Sequence, residues 1–147
     1  MVPVQAESIF VRGAVSPQFI ADCIASLGDN SRTGAHDIFL GQVRADIIEG
    51  NEVVAIDYSA YEEMAQKQFE KIRTAAFEKF ELTSLQVFHS IGMVRTGEIC
   101  LFVLASSAHR KTAFEALRFV VEEIKKEVPV FGKELFEDDT YQWKVNN

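Results

Sequence analysis

The residues best suited to binding or catalysis are basic, and two of them lie near the C-terminal end of a predicted helix. In the stretch "KKEVPVFGKE", Lys125 and Lys126 precede Pro129. At about 100° per residue, the apolar residues of this helix share one face: Ala113, Leu117, Val120, Val121, Ile124 and Val128. Lys126 projects opposite that face, whereas Lys125 lies at its edge, where we expect its stem to be covered. Partial desolvation disfavours a charged ammonium and is one way to make a catalytic lysine. A snorkelling lysine at a helix C-terminus fits the same pattern.

Two further basic residues open the same helix, in the stretch "SSAHRKTAF". The helical spacing directs Arg110 toward the apolar face and places His109 near the other edge of that face. An inward guanidinium beside free backbone N–H groups suits a phosphate or carboxylate ligand. An Arg–Glu pair that ties the helix to the sheet is the alternative, because the chain has 22 acidic residues.

Basic residues elsewhere can join this group. Arg44 ends the predicted strand "FLGQVR", and Lys133 follows the proline of "KKEVPVFGKE". With His109, Arg110 and Lys125 they can converge on one anion. No Ser-His-Asp pattern, P-loop, GxGxxG motif, zinc-ligand spacing or acidic pair competes with them. The residues alone therefore predict an anion site with a candidate catalytic lysine, and they leave the reaction open.

Composition limits the partners and the location. The 147 residues suffice for one domain over 1–147 with a core of its own. A net charge of −7 and a pI near 5.0 argue against nucleic acid or an anionic membrane as the main partner. No apolar run reaches the roughly 18–20 residues of a membrane span, and the N-terminus lacks the order of a signal peptide, so we expect a cytoplasmic protein. Cys23 and Cys100 lack a CxxC motif, so we expect buried thiols, no metal and no cofactor.

Hydrophobic periodicity and the residues that start and stop helices predict the elements that must position these residues. We predict helices from Pro17 to a stop at Gly28, with Ser16 as N-cap, from Glu62 to Phe80, and from about Ala108 to Glu127, capped by Ser106 or Ser107. Strands are predicted in "ESIFVRGAV", "AHDIFLGQVRA", "VVAIDYSAY", "TSLQVFHSIG" and "EICLFVLAS", and a hairpin in "VFGKELF" and "TYQWKVN". "DIIEGNE" reads as a mobile polar loop, and His89 as a core histidine. Strands without a helix between them favour an α+β fold with an antiparallel or mixed sheet.

Five stretches resemble a known family. "FLGQVR", "YSAYEEMA", "HSIGMVRTGE", "SSAHRKTAFEALRF" and "KKEVPVFGKE" occur in the order and spacing of the large, catalytic subunit of molybdopterin synthase, over about Asp37 to Trp143. The resemblance implies the α/β-hammerhead fold and a sulfurtransferase of molybdenum cofactor biosynthesis. It implies a small ubiquitin-like partner whose C-terminal Gly-Gly thiocarboxylate donates sulfur to cyclic pyranopterin monophosphate (precursor Z), and a heterotetramer around a homodimer of large subunits.

The same resemblance assigns roles to residues. Lys125 matches the essential lysine, and His109 and Arg110 match a substrate-binding pair. The strand-end contact falls on Gln42, Val43 and Arg44, and the end of the post-proline motif on Gly132, Lys133 and Glu134.

The chain departs from the family pattern after its proline. Phe131 replaces a tryptophan, and Gly132 stands where a second functional lysine is expected. Lys133 can replace that catalytic ammonium if the strand bulges or twists at Gly132, because a one-residue step otherwise points it to the opposite face. The missing charge also leaves open a catalytically weak or inactive homologue that acts as a binding or scaffold partner of the small subunit.

Overall fold

A computed structural model describes residues 8–145. Its three helices are Pro17–Ser26 (α1), Glu62–Lys79 (α2) and Arg110–Glu127 (α3). Its eight strands are Phe10–Arg12 (β1), Ala35–Gln42 (β2), Ile47–Ile48 (β3), Asn51–Ala60 (β4), Leu82–Arg95 (β5), Ile99–Ser107 (β6), Val130–Phe136 (β7) and Tyr141–Trp143 (β8). Within residues 8–145, no helix is both long and apolar enough to span a membrane.

The strands form a mixed sheet in the order β2-β6-β5-β4-β7-β8. β1 adds to β5 in parallel, and the other pairings, including β3 with β4, are antiparallel. The long strand β5 joins the two halves of the sheet, since its first part pairs with β6 and its last part with β4. The prediction of an α+β fold with a mixed sheet, three helices and a C-terminal hairpin is confirmed.

The sheet is covered on both faces where it carries β5 and β6. Leu101, Val103 and Ala105 of β6 pack in a cluster with residues of α2 and α3, while Phe102 and Leu104 pack with residues of α1. Alternate residues of a strand point to opposite faces, so both faces of β6 are apolar and its residues 100–107 are buried. α3 therefore has a fixed place on the sheet, and that place sets where its two ends lie.

The stretch predicted as a mobile polar loop contains a tight hairpin, so that prediction is wrong. Ile47 and Ile48 of β3 pair with Glu52 and Asn51 of β4. The two residues between these strands, Glu49 and Gly50, both have positive φ, at 52° and 83°. Two successive residues with positive φ form the turn that suits the twist of a hairpin, so the Glu-Gly pair was a turn signal.

The prediction of a serine cap for α3 is also wrong. Ser106 and Ser107 belong to β6, the N-cap is His109, and no side chain caps this helix. The Ser107 hydroxyl instead donates to the carbonyl oxygen of Glu81 at 2.8 Å. The Ser16 cap of α1 is confirmed, because its hydroxyl oxygen accepts from the N–H of Phe19 at 3.1 Å.

A close backbone approach holds the start of α3. The N–H of Gly34 donates to the carbonyl oxygen of Ser107 at 2.9 Å, and a β-carbon at position 34 would overlap the carbonyl oxygen of Ala108. Only glycine leaves room for that approach, which sets the chain direction into His109 and Arg110.

We therefore expect Gly34→Ala to lower the free energy of unfolding by about 1–3 kcal/mol, the usual cost of overpacking. Gly28→Ala is the matched control, since a β-carbon there would lie 3.5 Å from the Ala25 oxygen, an ordinary contact. Urea unfolding of both variants measures the difference. Equal midpoints for the two would show that the approach at Gly34 does not constrain the fold.

Candidate active site

Three cavities meet around the C-terminal end of α3. Their volumes are about 410, 340 and 30 Å³, and Lys125 and Lys144 line all three. Lys125 lies in the last turn of α3, and Lys144 directly follows β8. Lys125 is exposed in the single chain, so the predicted covering of its stem is not present there. Lys126 is exposed as predicted and lines only the 340 Å³ cavity.

The end of β2 forms one wall of the 410 Å³ cavity. Gln42, Val43 and Arg44, to which the resemblance assigned a substrate contact, all line it. The pairing of β2 with β6 shifts register between Gly41 and Gln42, and a bulge of this kind re-aims the residues that follow it. The Arg44 guanidinium forms an ion pair with Asp46, with Nε 3.3 Å from Oδ1. Arg44 thus brings a second type of cation to the cavity.

A buried tyrosine forms the floor between the cavities. Tyr58 of β4 is 9% exposed and lines both the 30 and the 410 Å³ cavities. Burial raises the pKa of its hydroxyl, and contact with Cys100, including a hydrogen bond, and the charge of Glu134 raise it further. Glu134 is itself 5% exposed and accepts a hydrogen bond from Gln142 Nε2 at 3.3 Å. Tyr58 is therefore a neutral hydroxyl at physiological pH.

His89 is a second neutral polar group beside the lysines. It is 6% exposed, which confirms its prediction as a core histidine, and its ring centroid lies 5.0 Å from that of Tyr58. Its Nδ1–H donates to the carbonyl oxygen of Ser90 at 2.8 Å, so Nε2 carries the free lone pair. Burial lowers the pKa of His89 to about 4, and the positive charge of Lys125 contributes in the same direction.

Gly132 and Lys133 do not both lie at the site that the resemblance assigned to them. β7 pairs with β4 without a register shift at Gly132, whose partner is Tyr58, so the bulge that Lys133 needs is absent. Lys133 points to the opposite face, where its Nζ lies 4.3 Å from the ring centroid of Tyr141 and 5.4 Å from that of Trp143. It lines none of these three cavities. Gly132 lines two of them and Glu134 one.

His109 and Arg110 are not brought to Lys125 within one chain. Both are exposed at the start of α3, where residues 108–111 are all exposed and the covered face begins at Ala113. The prediction that Arg110 points inward is therefore wrong. Among residues 8–145, Arg110 also makes no ion pair of the predicted Arg–Glu kind. Lys125 follows 15 residues later, and at about 1.5 Å per residue the two sites lie about 22 Å apart along the helix axis.

Tyr58, Cys100 and Lys144 also line the 410 Å³ cavity, and none of them was predicted from the sequence as a site residue. Tyr58 lies in the predicted strand "VVAIDYSAY", but nothing local linked it to Lys125. Lys144 carried no signal, because a lysine after a short terminal strand is usually a surface residue. Its role depends on which strand β8 pairs with.

The arrangement can bind an anion without a metal ligand set. The 410 Å³ cavity is lined by three cations, Arg44, Lys125 and Lys144, and two carboxylates, Asp46 and Glu134. In the part of the chain that the structure describes, no three histidine, cysteine, aspartate or glutamate side chains cluster as metal ligands would. As a class, the molecule is an α+β protein with a lysine-lined cleft at one helix end.

Comparison with known proteins gives the family. The MoaE protein family model matches residues 14–127, and the chain belongs to that family. A molybdopterin synthase catalytic subunit from Pyrococcus abyssi is 39% identical over 122 residues, which are 83% of this chain and 81% of that protein. The crystal structure of molybdopterin synthase from Staphylococcus aureus matches with a TM-score of 0.80 and 29% identity, over 94% of this chain and 96% of the other.

A second solved structure shares the fold. It is the complex of subunits 1 and 2 of molybdopterin-converting factor from Helicobacter pylori, with a TM-score of 0.78, 22% identity, and coverage of 94% of this chain and 90% of the matched chain. The family and the fold implied by the sequence resemblance are thus confirmed.

The lowered pKa of His89 predicts a specific loss of stability in mild acid. His89 binds a proton near pH 6.5 in the unfolded chain and only near pH 4 in the folded chain. Its contribution to the free energy of unfolding is therefore fully present above pH 6.5 and is lost as the pH falls from 6.5 toward 4. Between about pH 7.5 and pH 5 we expect a loss of about 2 kcal/mol from this group. In His89→Gln, which keeps a donor for the Ser90 oxygen, that part of the loss should disappear in urea unfolding. The same pH dependence in both proteins would contradict the assignment.

Proposed function

We propose that this chain is the catalytic subunit of a molybdopterin synthase, and that its lysine-lined cleft is where sulfur passes from a partner's thiocarboxylate to cyclic pyranopterin monophosphate. The observation that carries the proposal is the position of Lys125, which lines all three cavities at the end of α3. The family membership and the likeness to the Staphylococcus aureus enzyme support it.

The residues around Lys125 suit this chemistry. When water cleaves the acyl–sulfur bond of the partner's tail after the sulfur has bonded to the substrate, negative charge develops on the acyl oxygen, and a fixed ammonium stabilises that charge. Lys125 is the ammonium that we propose for this role. Arg44, with Gln42 and Val43 on the same wall, is placed to hold the phosphate of the substrate, since a guanidinium binds phosphate in two-point geometry. The nucleophilic sulfur comes with the partner, so neither Cys23 nor Cys100 has to react.

Gly132 and Glu134 shape the cleft in this proposal. The absence of a side chain at Gly132 lets Ile56 and Tyr58 pack closely against its backbone, and the buried carboxylate of Glu134 is held by Gln142. The resemblance gave Lys133 a catalytic and binding role, but its contact with Tyr141 and Trp143 on the far face does not support that role.

The partners follow from the same proposal. The Helicobacter pylori neighbour is a complex of two subunits, and we propose that a small ubiquitin-like subunit inserts its Gly-Gly tail into the cleft near Lys125. We also propose that two copies of this chain form a homodimer within a heterotetramer. Because His109 and Arg110 lie about 22 Å from Lys125 along α3, they can join a Lys125 cleft as substrate-binding residues only from the second copy.

We propose that the chain acts as one domain over its 147 residues. A cytoplasmic location is in keeping with a biosynthetic enzyme family.

A scaffold role is the second candidate, and Gly132 is the observation that favours it. A homologue without a lysine at this position would keep the binding site for the small subunit and lose the reaction. Binding of the small subunit without product, under conditions in which a known synthase is active, would favour that role.

The catalytic role of Lys125 predicts a loss of product in a reconstituted assay. With thiocarboxylated small subunit and precursor, we expect Lys125→Ala to form molybdopterin about a hundredfold more slowly, the usual cost of removing one group that stabilises a developing charge. Lys67→Ala, which removes an exposed helix lysine paired with Glu63, is the matched control. Near-normal product formation by Lys125→Ala would overturn the assignment.

A further inference from the structure

Gly132 and Lys144 are neighbours across the last two strands of the sheet. The N–H of Lys144 donates to the carbonyl oxygen of Gly132 at 2.8 Å, which extends the pairing of β7 with β8 by one residue beyond Lys133 and Trp143. Directly opposed residues of antiparallel strands project from the same face of the sheet. Consistent with this, a β-carbon built on Gly132 would lie 3.6 Å from the β-carbon of Lys144. The Lys144 side chain therefore starts beside the point where a side chain at position 132 would start.

Position 132 itself has little room for a side chain. A β-carbon there would lie 3.0 Å from Cγ2 of Ile56 and 3.3 Å from Cε1 of Tyr58. Both are tighter than an ordinary carbon–carbon contact of about 3.5–4.0 Å, so the neighbouring side chains would have to move. The ring of Tyr58 occupies the space that glycine leaves open.

Lys144 carries a positive charge into the same cavities as Lys125. Of residues 8–145, these two alone line all three cavities. Lys144 is half-buried, and it forms no ion pair with any of residues 8–145. Its ammonium therefore has no ion-pair partner among the described residues. Lys133 differs, because its ammonium makes cation–π contacts with the rings of Tyr141 and Trp143 on the other face.

We propose that Lys144 is the second lysine of the active site, and that it supplies from β8 the positive charge that a side chain at position 132 cannot supply. Lys144 and Lys125 then flank the anionic substrate from the sheet and from the helix. This inference rests on the proposed function. It names a substrate-binding residue that neither the sequence pattern nor the family resemblance assigned to this chain.

The test measures product formation by complexes of the small subunit with Lys144→Ala and Lys144→Met variants. Lys144→Met keeps the apolar stem and removes only the charge, so it covers the case in which Lys144→Ala packs poorly. We expect the rate to fall about ten- to hundredfold in both, the range for losing a charged hydrogen-bond donor. Lys144→Arg, which keeps the charge, should recover most of the rate, and binding of the small subunit should be unchanged. A purely structural lysine would give equal rates for the Met and Arg variants.

Comparison with two other lysines separates the possible failures. If Lys144→Met retains full activity while Lys125→Ala is inactive, the inference about Lys144 is wrong and the proposed function stands. If Lys133→Ala loses more activity than Lys144→Met, Lys133 is the second lysine and the inference is again wrong. If Lys125→Ala and Lys144→Met are both fully active, the inference about Lys144 and the proposed function of the cleft are both wrong.

Discussion

The register of four neighbouring strands is the constraint on which the rest of the site depends. Gly92 of β5 pairs with Tyr58 of β4, Tyr58 pairs with Gly132 of β7, and Lys144 hydrogen-bonds to Gly132 from the end of β8. Opposed residues in antiparallel strands share a face, so these four form one row. The Tyr58 ring lies against Gly132, with Cε1 3.3 Å from where a β-carbon of that residue would stand, and it makes an edge contact with His89. A one-residue slip of β7 would turn Lys133 into the cleft and Gly132 out of it.

Two buried titratable groups, one in this row and one beside it, determine the electrostatics of the cleft. Burial raises the pKa of Tyr58 and lowers that of His89, so both groups are neutral near pH 7. Neutral polar groups with hydrogen-bond partners cost little to bury, whereas an unpaired buried charge costs much more. The positive charges are therefore kept on side chains at the cavity walls, where solvent or a substrate can reach them. A chain with a net charge of −7 can in this way present a local cationic cleft.

Much of the fold, and part of the site, could be predicted from the sequence. Helix periodicity correctly placed Lys125 at the boundary of the buried face of α3 and Lys126 in solvent, since these are properties of a single element. The direction of Arg110 was wrong because periodicity cannot tell where the cover over a helix ends. The β3–β4 hairpin was missed because the Glu-Gly turn was read as loop composition. Lys144 was not found because its position depends on the pairing of two strands, which no local pattern specifies.

The glycine at position 132 takes on a different meaning once this pairing is known. Taken alone, the loss of a lysine from a catalytic motif suggests a loss of activity. In the folded chain, however, the space at Gly132 is filled by Tyr58 and Ile56, and the next strand carries a lysine whose β-carbon is 3.6 Å away from that position. What a lysine's charge can do depends on where its ammonium lies in space and not on its position in the sequence. The flexible stem of a lysine reaches several ångströms. The glycine is therefore weak evidence for an inactive scaffold, because the sheet already provides a neighbouring strand from which the charge can be delivered.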